Sequence, residues 1–257
     1  MKKIMIFLLA INIVAGCVNN ENQKVNQGSK YKNKKIAWGF KKVENSPPGL
    51  PSEWICLLER FDGYYLGDKN KKSLFLTFDE GYENGYTPKI LDVLKEQNVP
   101  AAFFVTGAYI TKEADLVKRM ADEGHIVGNH TYNHPSMPDV SNDEKLIREM
   151  DSVNEKYHAL TGETMKYLRP PKGEFSERTL AITKKNGYKT ILWSNAYVDW
   201  ISGKNTEQYA LESVTKYLHN GCIILMHAVS KENALALPKI VSYAREQGYT
   251  FESLDDL

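Results

Sequence analysis

From about residue 70 to the C-terminus, short apolar runs alternate with longer stretches in which apolar residues recur three or four positions apart. An apolar run bounded by turn residues predicts a buried strand, and the wider spacing predicts an amphipathic helix. The predicted strands are 74–78, 101–106, 126–127, 167–168, 190–194, 222–226 and 249–251. The predicted helices are 87–97, 112–123, 141–161, 176–186, 206–219 and 233–247.

The regular alternation of strands and helices predicts an α/β fold with a parallel sheet and helices outside it. About seven such units in one uninterrupted run favour a TIM-like (β/α) barrel over an open sheet. The third helix is predicted to begin at the capping-box pattern Ser141-Asn142-Asp143-Glu144. We therefore place one barrel domain at residues 73–257.

The first 72 residues lie before the regular alternation of predicted strands and helices. Lys2 and Lys3 precede an apolar run that is too short to span a bilayer, and small residues lead to Cys17. This resembles a bacterial lipoprotein signal over residues 1–17, with lipid on Cys17 anchoring the protein outside the cytoplasmic membrane. The alternative is an uncleaved or conventionally cleaved signal. Residues 18–37 are polar and predict a disordered tether, and 38–72 predict an extended arm with aromatic anchors that packs on the barrel.

Composition narrows the class of partner. The net charge is +1, with acids and bases mixed along the 257 residues, which argues against a nucleic-acid binder. Apart from Cys17, the chain has only Cys56 and Cys222. These two could pair in an oxidising space, or Cys222, which lies in an apolar run, could be a buried thiol. No Cys-x-x-Cys sequence is present, which argues against a thiolate zinc site.

Candidate chemistry begins where the strand 74–78 ends, at Asp79 and Glu80. Two carboxylates at the end of a buried strand are costly unless a metal, a cation or a proton accompanies them. In parallel α/β folds this end of the strand is also where ligands bind. The alternative is that these acids only cap the following helix.

His130 and His134 follow the strand 126–127. Histidines four apart face the same side of a helix and can share one metal ion. The alternative is a pair of polar loop histidines. With Asp79 or Glu80 they would form a site of two histidines and a carboxylate, which leaves positions open for water and substrate.

The remaining candidates also follow predicted strands. Arg169 precedes two prolines that fix the backbone, and its guanidinium would keep a carboxylate ionised; the alternative is a solvated turn. His227 follows the strand 222–226, where a lone histidine is more often a satisfied core residue. Beside an acid such as Asp199, His227 becomes a candidate general acid.

Together these segments resemble the five ordered motifs of the polysaccharide deacetylases, the carbohydrate esterases with a NodB-type domain. The segments are Thr77-Phe78-Asp79-Glu80-Gly81, His130-Thr131-Tyr132-Asn133-His134, Arg169-Pro170-Pro171-Lys172-Gly173, Asp199-Trp200 and Leu225-Met226-His227. Residues 38–40, 81–87 and 251–257 further resemble the sporulation branch of that family. That branch removes acetyl groups from N-acetylmuramic acid in spore-cortex peptidoglycan, giving muramic δ-lactam.

The resemblance implies a distorted, incomplete (β/α) barrel with a divalent metal, usually zinc. It implies that His130 and His134 bind the metal, that Glu80 is a further candidate ligand, and that Asp79 is the general base that activates water. It also implies that His227 is the general acid, that Arg169 orients Asp79 and that Asp199 tunes His227. The residues implied to contact substrate are Trp200, which lines the acetyl pocket, Tyr132 and Pro170.

Two positions depart from the family pattern. Glu80 stands where the family usually has an aspartate that ligates the metal, and Ala196 stands where an earlier acid often lies. The implied partner is a peptidoglycan glycan strand, and we expect a monomer. The alternatives are a deacetylase of N-acetylglucosamine in peptidoglycan or chitin-like oligomers, and a catalytically silent wall-binding lipoprotein that has kept the fold.

Overall fold

The computed structural model of the chain describes residues 30–201 and 203–257. Its strands are β1 (Ile36–Ala37), β2 (Gly63–Tyr64), β3 (Ser73–Glu80), β4 (Ala101–Val105), β5 (Ile126–Asn129), β6 (Tyr167–Leu168), β7 (Glu174–Phe175), β8 (Lys189–Ile191), β9 (Cys222–His227) and β10 (Thr250–Phe251). Its α-helices are α1 (Ser52–Arg60), α2 (Thr87–Glu96), α3 (Gly107–Lys112), α4 (Ala114–Asp122), α5 (Asp143–Thr161), α6 (Glu177–Lys185), α7 (Glu207–Thr215) and α8 (Lys231–Glu246). Short 3-10 helices lie at Met137–Asp139, Pro171–Gly173 and Leu254–Asp256.

The main sheet has the order β10-β3-β4-β5-β6-β8-β2, and β9 also pairs with β3. All of these pairings are parallel. The segment after β8 reaches β9 through a parallel bridge between Asn195 and Ile224, so the sheet curls round towards closure. The predicted α/β fold with an incomplete barrel is therefore confirmed, as a curled parallel half-barrel.

The two central strands explain why the sequence shows continuous apolar runs. All eight residues of β3 and all five of β4 are buried. A parallel strand covered on both faces has no solvent side, so its residues are apolar without the alternation of a half-exposed strand. Helices α2, α5 and α8 supply the covering layer through Leu91, Met150 and Leu237, which are fully buried.

Several boundaries differ from the prediction. The helix expected at 112–123 is α4, and the unpredicted helix α3 precedes it, because Thr106 caps α3 directly after β4 and Glu113, with a φ of −117°, separates the two helices. Helix α5 is capped by Asn142, whose side chain accepts a hydrogen bond from the Lys145 N–H, and not by Ser141. Strand β9 extends to His227 itself.

The N-terminal arm packs on the barrel earlier than the sequence predicts. Ile36 and Ala37 pair antiparallel with Phe175 and Glu174, and the main-chain oxygen of Lys32 accepts a hydrogen bond from the N–H of residue 178. The polar composition of residues 30–37 predicts a disordered tether, but the structure places contacts with the barrel in this part, so the prediction is wrong there. The predicted signal, the lipidation site Cys17 and tether residues 18–29 lie outside the described residues.

Two further observations concern expectations from composition. Cys222 is a free, fully buried thiol, and burial raises its pKa to about 12, so the alternative of a buried thiol holds for this residue rather than a bond to Cys56. In the part of the chain that the structure describes, no helix is both long and apolar enough to cross a membrane.

Candidate active site

The predicted site residues meet at the carboxyl edge of the curled sheet. Asp79 lies one residue before the end of β3, and His227 is the last residue of β9. His130 and Arg169 directly follow β5 and β6. Asp199 reaches the same edge from the segment after β8 and contacts His227. The carboxyl ends of parallel strands share one edge, and this topology brings together residues that are far apart in sequence.

The buried carboxylate of Asp79 is held by a buried guanidinium. Arg169 Nη1 donates a hydrogen bond to Asp79 Oδ1 at 2.8 Å, and the two residues are 0% and 7% exposed. Burial alone would raise the pKa of Asp79, but the positive charge of Arg169, helped by the nearby histidines and by the hydrogen bond from Arg169, outweighs it, and the pKa is held below its usual value. Asp79 is therefore an ionised carboxylate, able to accept a proton.

Arg169 is fixed from several sides. Its Nε donates to the main-chain oxygen of Ile191 at 3.2 Å, and its Nη2 donates to that of Leu192 at 3.4 Å. The guanidinium also lies over the Phe104 ring, 4.2 Å from the centroid. With its donors directed to fixed acceptors, the side chain has little freedom to leave Asp79. The alternative of a solvated surface arginine is excluded by its complete burial.

A loop, and not a helix, brings His130 and His134 together. Their Nε2 atoms are 3.2 Å apart. The segment between the two rings is irregular, and Thr131 and His134 have left-handed φ angles of 61° and 57°. The helical spacing considered from the sequence is therefore not the reason that the two rings meet.

The main-chain oxygen of Arg169 determines the tautomer of His130. His130 Nδ1 lies 2.7 Å from this oxygen, which can only accept, so Nδ1 carries the proton and Nε2 of the neutral ring presents a lone pair. Burial is the main reason that the pKa of both histidines is lowered, that of His134 to about 4. Both rings are then neutral at pH 7, the state in which imidazole binds a metal.

The histidine pair fits a divalent cation as two nitrogen ligands. In a tetrahedral zinc site with Zn–N bonds of about 2.0–2.1 Å, two nitrogens lie about 3.3 Å apart. The two Nε2 atoms match this separation. Within residues 30–201 and 203–257, however, no group of three or more His, Cys, Asp or Glu is arranged to hold a metal ion. The described chain thus offers two nitrogens and leaves the other positions to water or substrate.

Glu80, the further candidate ligand, faces away from the histidines. Side chains alternate along a strand, so Glu80 and Asp79 project from opposite faces of β3. Glu80 is fully buried, and among the described residues neither of its carboxyl oxygens has a hydrogen-bond partner. Burial, followed by repulsion from Glu83 and Asp79, raises its pKa well above the usual value. The surroundings of Glu80 thus favour its neutral form, and it does not complete the histidine pair.

His227 forms the second polarised pair. Its Nδ1 lies 2.7 Å from Asp199 Oδ1, and its main-chain N–H donates to Asp199 Oδ2 at 2.8 Å. Burial would lower the pKa of His227, but the hydrogen bond and charge of Asp199, helped by the charge of Asp79, raise it overall. Because Nδ1 is bound to Asp199, Nε2 is the nitrogen that can deliver a proton. The alternative of a merely satisfied core histidine does not account for this raised pKa.

The three predicted substrate contacts lie in different surroundings. Trp200 is half exposed, and its ring packs edge-on against the His227 ring with centroids 5.0 Å apart. Tyr132 packs on Gly107, where a Cβ atom would lie 2.2 Å from the tyrosine ring. Pro170 is buried. Trp200 is therefore the one of these three that presents an open aromatic face beside the general-acid candidate.

A residue that no sequence motif indicates supports Asp199. Asn233, near the start of α8, is fully buried and donates from Nδ2 to Asp199 Oδ2 and to the main-chain oxygen of His227, the latter at 3.0 Å. Tyr197 donates in turn to Asn233 Oδ1. Asn233 lies on α8, six residues beyond His227, and its helical position carries no pattern that indicates an active-site contact.

Trp38, in the arm, fixes the loop that carries Arg169. Its main-chain N–H donates to the oxygen of Gly173 at 2.9 Å, and its indole Nε1 donates to the oxygen of Trp193 at 3.0 Å. Gly173 is enclosed so closely that an added Cβ would lie 2.9 Å from both tryptophan side chains. The aromatic anchors predicted in the arm thus reach the back of the site, a connection that the sequence alone did not indicate.

The geometry defines a site for hydrolysis of an acyl bond. One residue, Asp79, is ionised and can take a proton from water, while another, His227, has a raised pKa and can give a proton to a leaving group. Two titratable groups whose environments shift their pKa values in opposite directions are the usual mark of a base and an acid. The neighbouring histidine pair adds a place for a Lewis-acidic cation.

Comparison with known proteins identifies the family. The polysaccharide deacetylase family matches residues 66–191. The chain is 47% identical over 234 residues to the peptidoglycan-N-acetylmuramic acid deacetylase PdaA of Bacillus subtilis, covering 90% of this chain and 89% of that protein. The chain therefore belongs to the polysaccharide deacetylases, carbohydrate esterase family 4, and is a deacetylase of the polysaccharide and peptidoglycan class.

Solved structures agree with this assignment. The structure of Bacillus subtilis PdaA superposes with a TM-score of 0.85 at 47% identity, covering 88% of this chain and 97% of that one. A family 4 carbohydrate esterase from Bacillus anthracis gives a TM-score of 0.75 at 50% identity, covering 89% and 98%. A peptidoglycan-N-acetylglucosamine deacetylase of Bacillus cereus is 33% identical over 220 residues, which is 84% of this chain and 78% of that protein.

Proposed function

We propose that this protein hydrolyses the acetamide of N-acetylmuramic acid in peptidoglycan, on the route to the muramic δ-lactam of spore cortex. The observation that carries the proposal is the opposed pair at the barrel edge, Asp79 held ionised by Arg169 and His227 held protonated by Asp199. The similarity to the N-acetylmuramic acid deacetylase of Bacillus subtilis supports the choice of sugar.

The chain's own residues account for the proton transfers. Asp79 takes a proton from water as the water oxygen bonds to the acetyl carbon. His227 then delivers the proton on Nε2 to the sugar nitrogen as the carbon–nitrogen bond breaks. The products are acetate and the free amine. Arg169 keeps Asp79 ionised and directed at the water throughout, and Asp199 stabilises the charged form of His227.

A base with a lowered pKa is weak, so Asp79 needs a water that is more acidic than bulk water. His130 and His134 are the residues that would hold a divalent cation, which we propose to be zinc. When bound, such a cation acidifies water and polarises the acetyl oxygen. Glu80 takes no part in this arrangement, because it lies on the other face of β3 and is neutral.

The δ-lactam follows from the chemistry of the product. The freed amine and the lactyl carboxyl group belong to the same sugar, so the amine can attack the carboxyl carbon with loss of water. Ring closure within one molecule benefits from proximity. We propose that the substrate is muramic acid whose stem peptide has already been removed, because only then is the carboxyl group free.

Two alternatives have specific support. The 33% identity to a peptidoglycan-N-acetylglucosamine deacetylase favours glucosamine as a rival substrate, since both sugars carry the same acetamide. The replacements Glu80 and Ala196 are the support for a catalytically silent wall-binding protein. The complete set of polarised partners argues against this second alternative, because burying an arginine–aspartate pair has a desolvation cost that a mere binding surface does not require.

The test uses cortex-type glycan whose muramic residues carry no peptide, with metal supplied. Mass spectrometry should find loss of acetyl from muramic acid, and loss of a further water where the lactam has closed. Asp79→Asn and His227→Ala should abolish acetyl loss, while Asp143→Asn, at an exposed aspartate that pairs with the buried Arg178, is the matched control. Acetyl loss only from glucosamine would contradict the proposal, as would full activity in both site variants.

We also propose that the mature protein acts outside the cytoplasmic membrane, as a lipid-anchored monomer on glycan strands. The small residues before Cys17 support this location. Replacement Cys17→Ser should move the protein from the membrane fraction to the medium, and gel filtration of a form lacking residues 1–17 should give one chain per particle. Retention of the serine variant in the membrane would refute the lipid anchor.

A further inference from the structure

The loop that positions the catalytic arginine also carries an exposed cation with no assigned role. Lys172 lies between Pro171 and Gly173, which are both buried, while its own side chain is exposed. None of the ion pairs among residues 30–201 and 203–257 includes Lys172. Lys35, by contrast, is paired with Asp139 at 2.5 Å.

The backbone at Lys172 is held in an uncommon conformation. Its φ and ψ are 60° and 7°, in the left-handed region that a non-glycine residue rarely adopts. The turn is closed by the Gly173 N–H donating to the Pro170 oxygen at 3.0 Å and is fixed from outside by Trp38. Strained residues of this kind persist only where the surroundings determine them, and they are concentrated at functional sites. The position of Lys172 is therefore set by the fold.

That position is beside the reacting groups. The loop begins at Arg169, whose side chain holds Asp79 and whose main-chain oxygen lies 2.7 Å from His130 Nδ1. Lys172 lies three residues beyond Arg169 in the same turn, and its side chain is exposed while Pro170, Pro171 and Gly173 around it are buried. The exposed ammonium group thus projects from a loop whose first residue belongs to the site.

The two candidate sugars differ in one charged group. N-acetylglucosamine and N-acetylmuramic acid carry the same acetamide, but muramic acid has a lactyl ether whose carboxylate is free once the stem peptide is gone. An exposed ammonium on a flexible stem is suited to a carboxylate whose position varies slightly from one substrate to another. We propose that Lys172 binds the lactyl carboxylate of the muramic residue and so determines specificity for this sugar. This inference rests on the proposed function.

The test compares substrates within each variant, so that general damage to the enzyme cancels. The substrates are a peptide-free muramic glycan, the same glycan with its lactyl carboxyl groups converted to neutral methylamides, and an N-acetylglucosamine oligomer. For the wild type, kcat/KM should be higher on the free carboxylate than on the methylamide, and the difference should shrink as salt is added. Lys172→Met should reduce this ratio about tenfold, through KM rather than kcat.

Two further variants make the result specific to charge. Lys172→Arg should keep most of the preference, and Lys172→Glu should reverse it, since the same substrate then meets an anion. Lys118→Met, on α4 and paired with Asp122, is the control for the loss of an exposed lysine. Urea midpoints within the error of the wild type will show that the left-handed turn tolerates each residue.

The outcomes distinguish failure of the proposed role of Lys172 from failure of the proposed substrate. If the wild type prefers the free carboxylate and Lys172→Met keeps that preference in full, the inference is wrong while the proposed function stands. If the wild type releases acetate from glucosamine and not from muramic residues, the inference and the proposed substrate fail together. If the preference survives at high salt in every variant, recognition is not electrostatic and the role of Lys172 is refuted.

Discussion

Replacing Arg169 by methionine should lower the free energy of unfolding and shift the pH dependence of activity, because Arg169 holds the carboxylate of Asp79 in its ionised form. The substitution keeps an unbranched side chain but removes the ion pair with Asp79 and two hydrogen bonds to the oxygens of Ile191 and Leu192. Breaking a buried ion pair by removing one partner costs about 3–5 kcal/mol. A domain of this kind has a free energy of unfolding of about 5–15 kcal/mol, so the loss is large but need not prevent folding.

The same substitution should change the pKa of Asp79. In the wild type this pKa is lowered, so the stability that the ionised carboxylate contributes is present above the usual pKa of aspartate and is lost as pH falls through the folded value. Without Arg169, burial dominates and the pKa rises. The acidic limb of the kcat/KM profile should therefore move to higher pH.

Urea unfolding at pH 7 gives the measurement, with a double-mutant cycle to isolate the pair. Asp79→Asn added to Arg169→Met should recover part of the lost stability, because a neutral amide needs no counter-ion. Arg178→Met is the matched control, since Arg178 is buried but pairs with the exposed Asp143 away from the site. Equal losses for the two arginine variants, with no recovery in the double variant and an unmoved acidic limb, would refute the reasoning.

Three other perturbations follow from the same geometry. Asp199→Asn should lower the pKa of His227, so the alkaline limb of kcat/KM, where the general acid loses its proton, should move to lower pH; a profile that does not move would contradict the role of Asp199. Glu80→Gln should change the free energy of unfolding at pH 7 by less than about 1 kcal/mol and leave the zinc content per chain unaltered. His134→Ala should lower the zinc content, which elemental analysis measures, and zinc loss in the glutamine variant would make Glu80 a ligand. Trp38→Ala should cost about 3–5 kcal/mol in urea unfolding and lower kcat by loosening the Arg169 loop; unchanged kcat would limit the arm to a structural role.

The succession of strands along the chain and the edge of the sheet that carries the site were predictable, because both depend on local sequence patterns. A buried parallel strand reads as an apolar run, as β3 and β4 do, and the topology then places each following loop at one edge. Asp79, His130, Arg169 and His227 could be assembled in this way without coordinates. The same reasoning failed for residues 30–37, whose polar composition conceals a strand that pairs with β7.

What the sequence could not supply are contacts set by tertiary structure. The rings of His130 and His134 meet through left-handed residues of a loop, and no spacing rule predicts such a turn. Asn233 supports Asp199 from a helix whose own pattern is that of an ordinary amphipathic segment. In both places the deciding contact joins segments whose local sequences are compatible with many other arrangements.

The ionisation of the carboxylates on β3 depends on which face of the strand holds their cationic partners, as a comparison of Asp79 with Glu80 shows. Asp79 and Glu80 are adjacent carboxylates of almost equal intrinsic acidity, both buried. Alternation along the strand gives Asp79 the guanidinium and the histidines, and gives Glu80 only another acid. Burial raises the pKa of both groups, so the difference between an ionised base and a neutral acid comes entirely from which face holds the cations. A cation introduced beside Glu80 would therefore be expected to ionise it without moving a single backbone atom, whereas restoring an aspartate at position 80 alone would not turn that side chain towards the histidine pair.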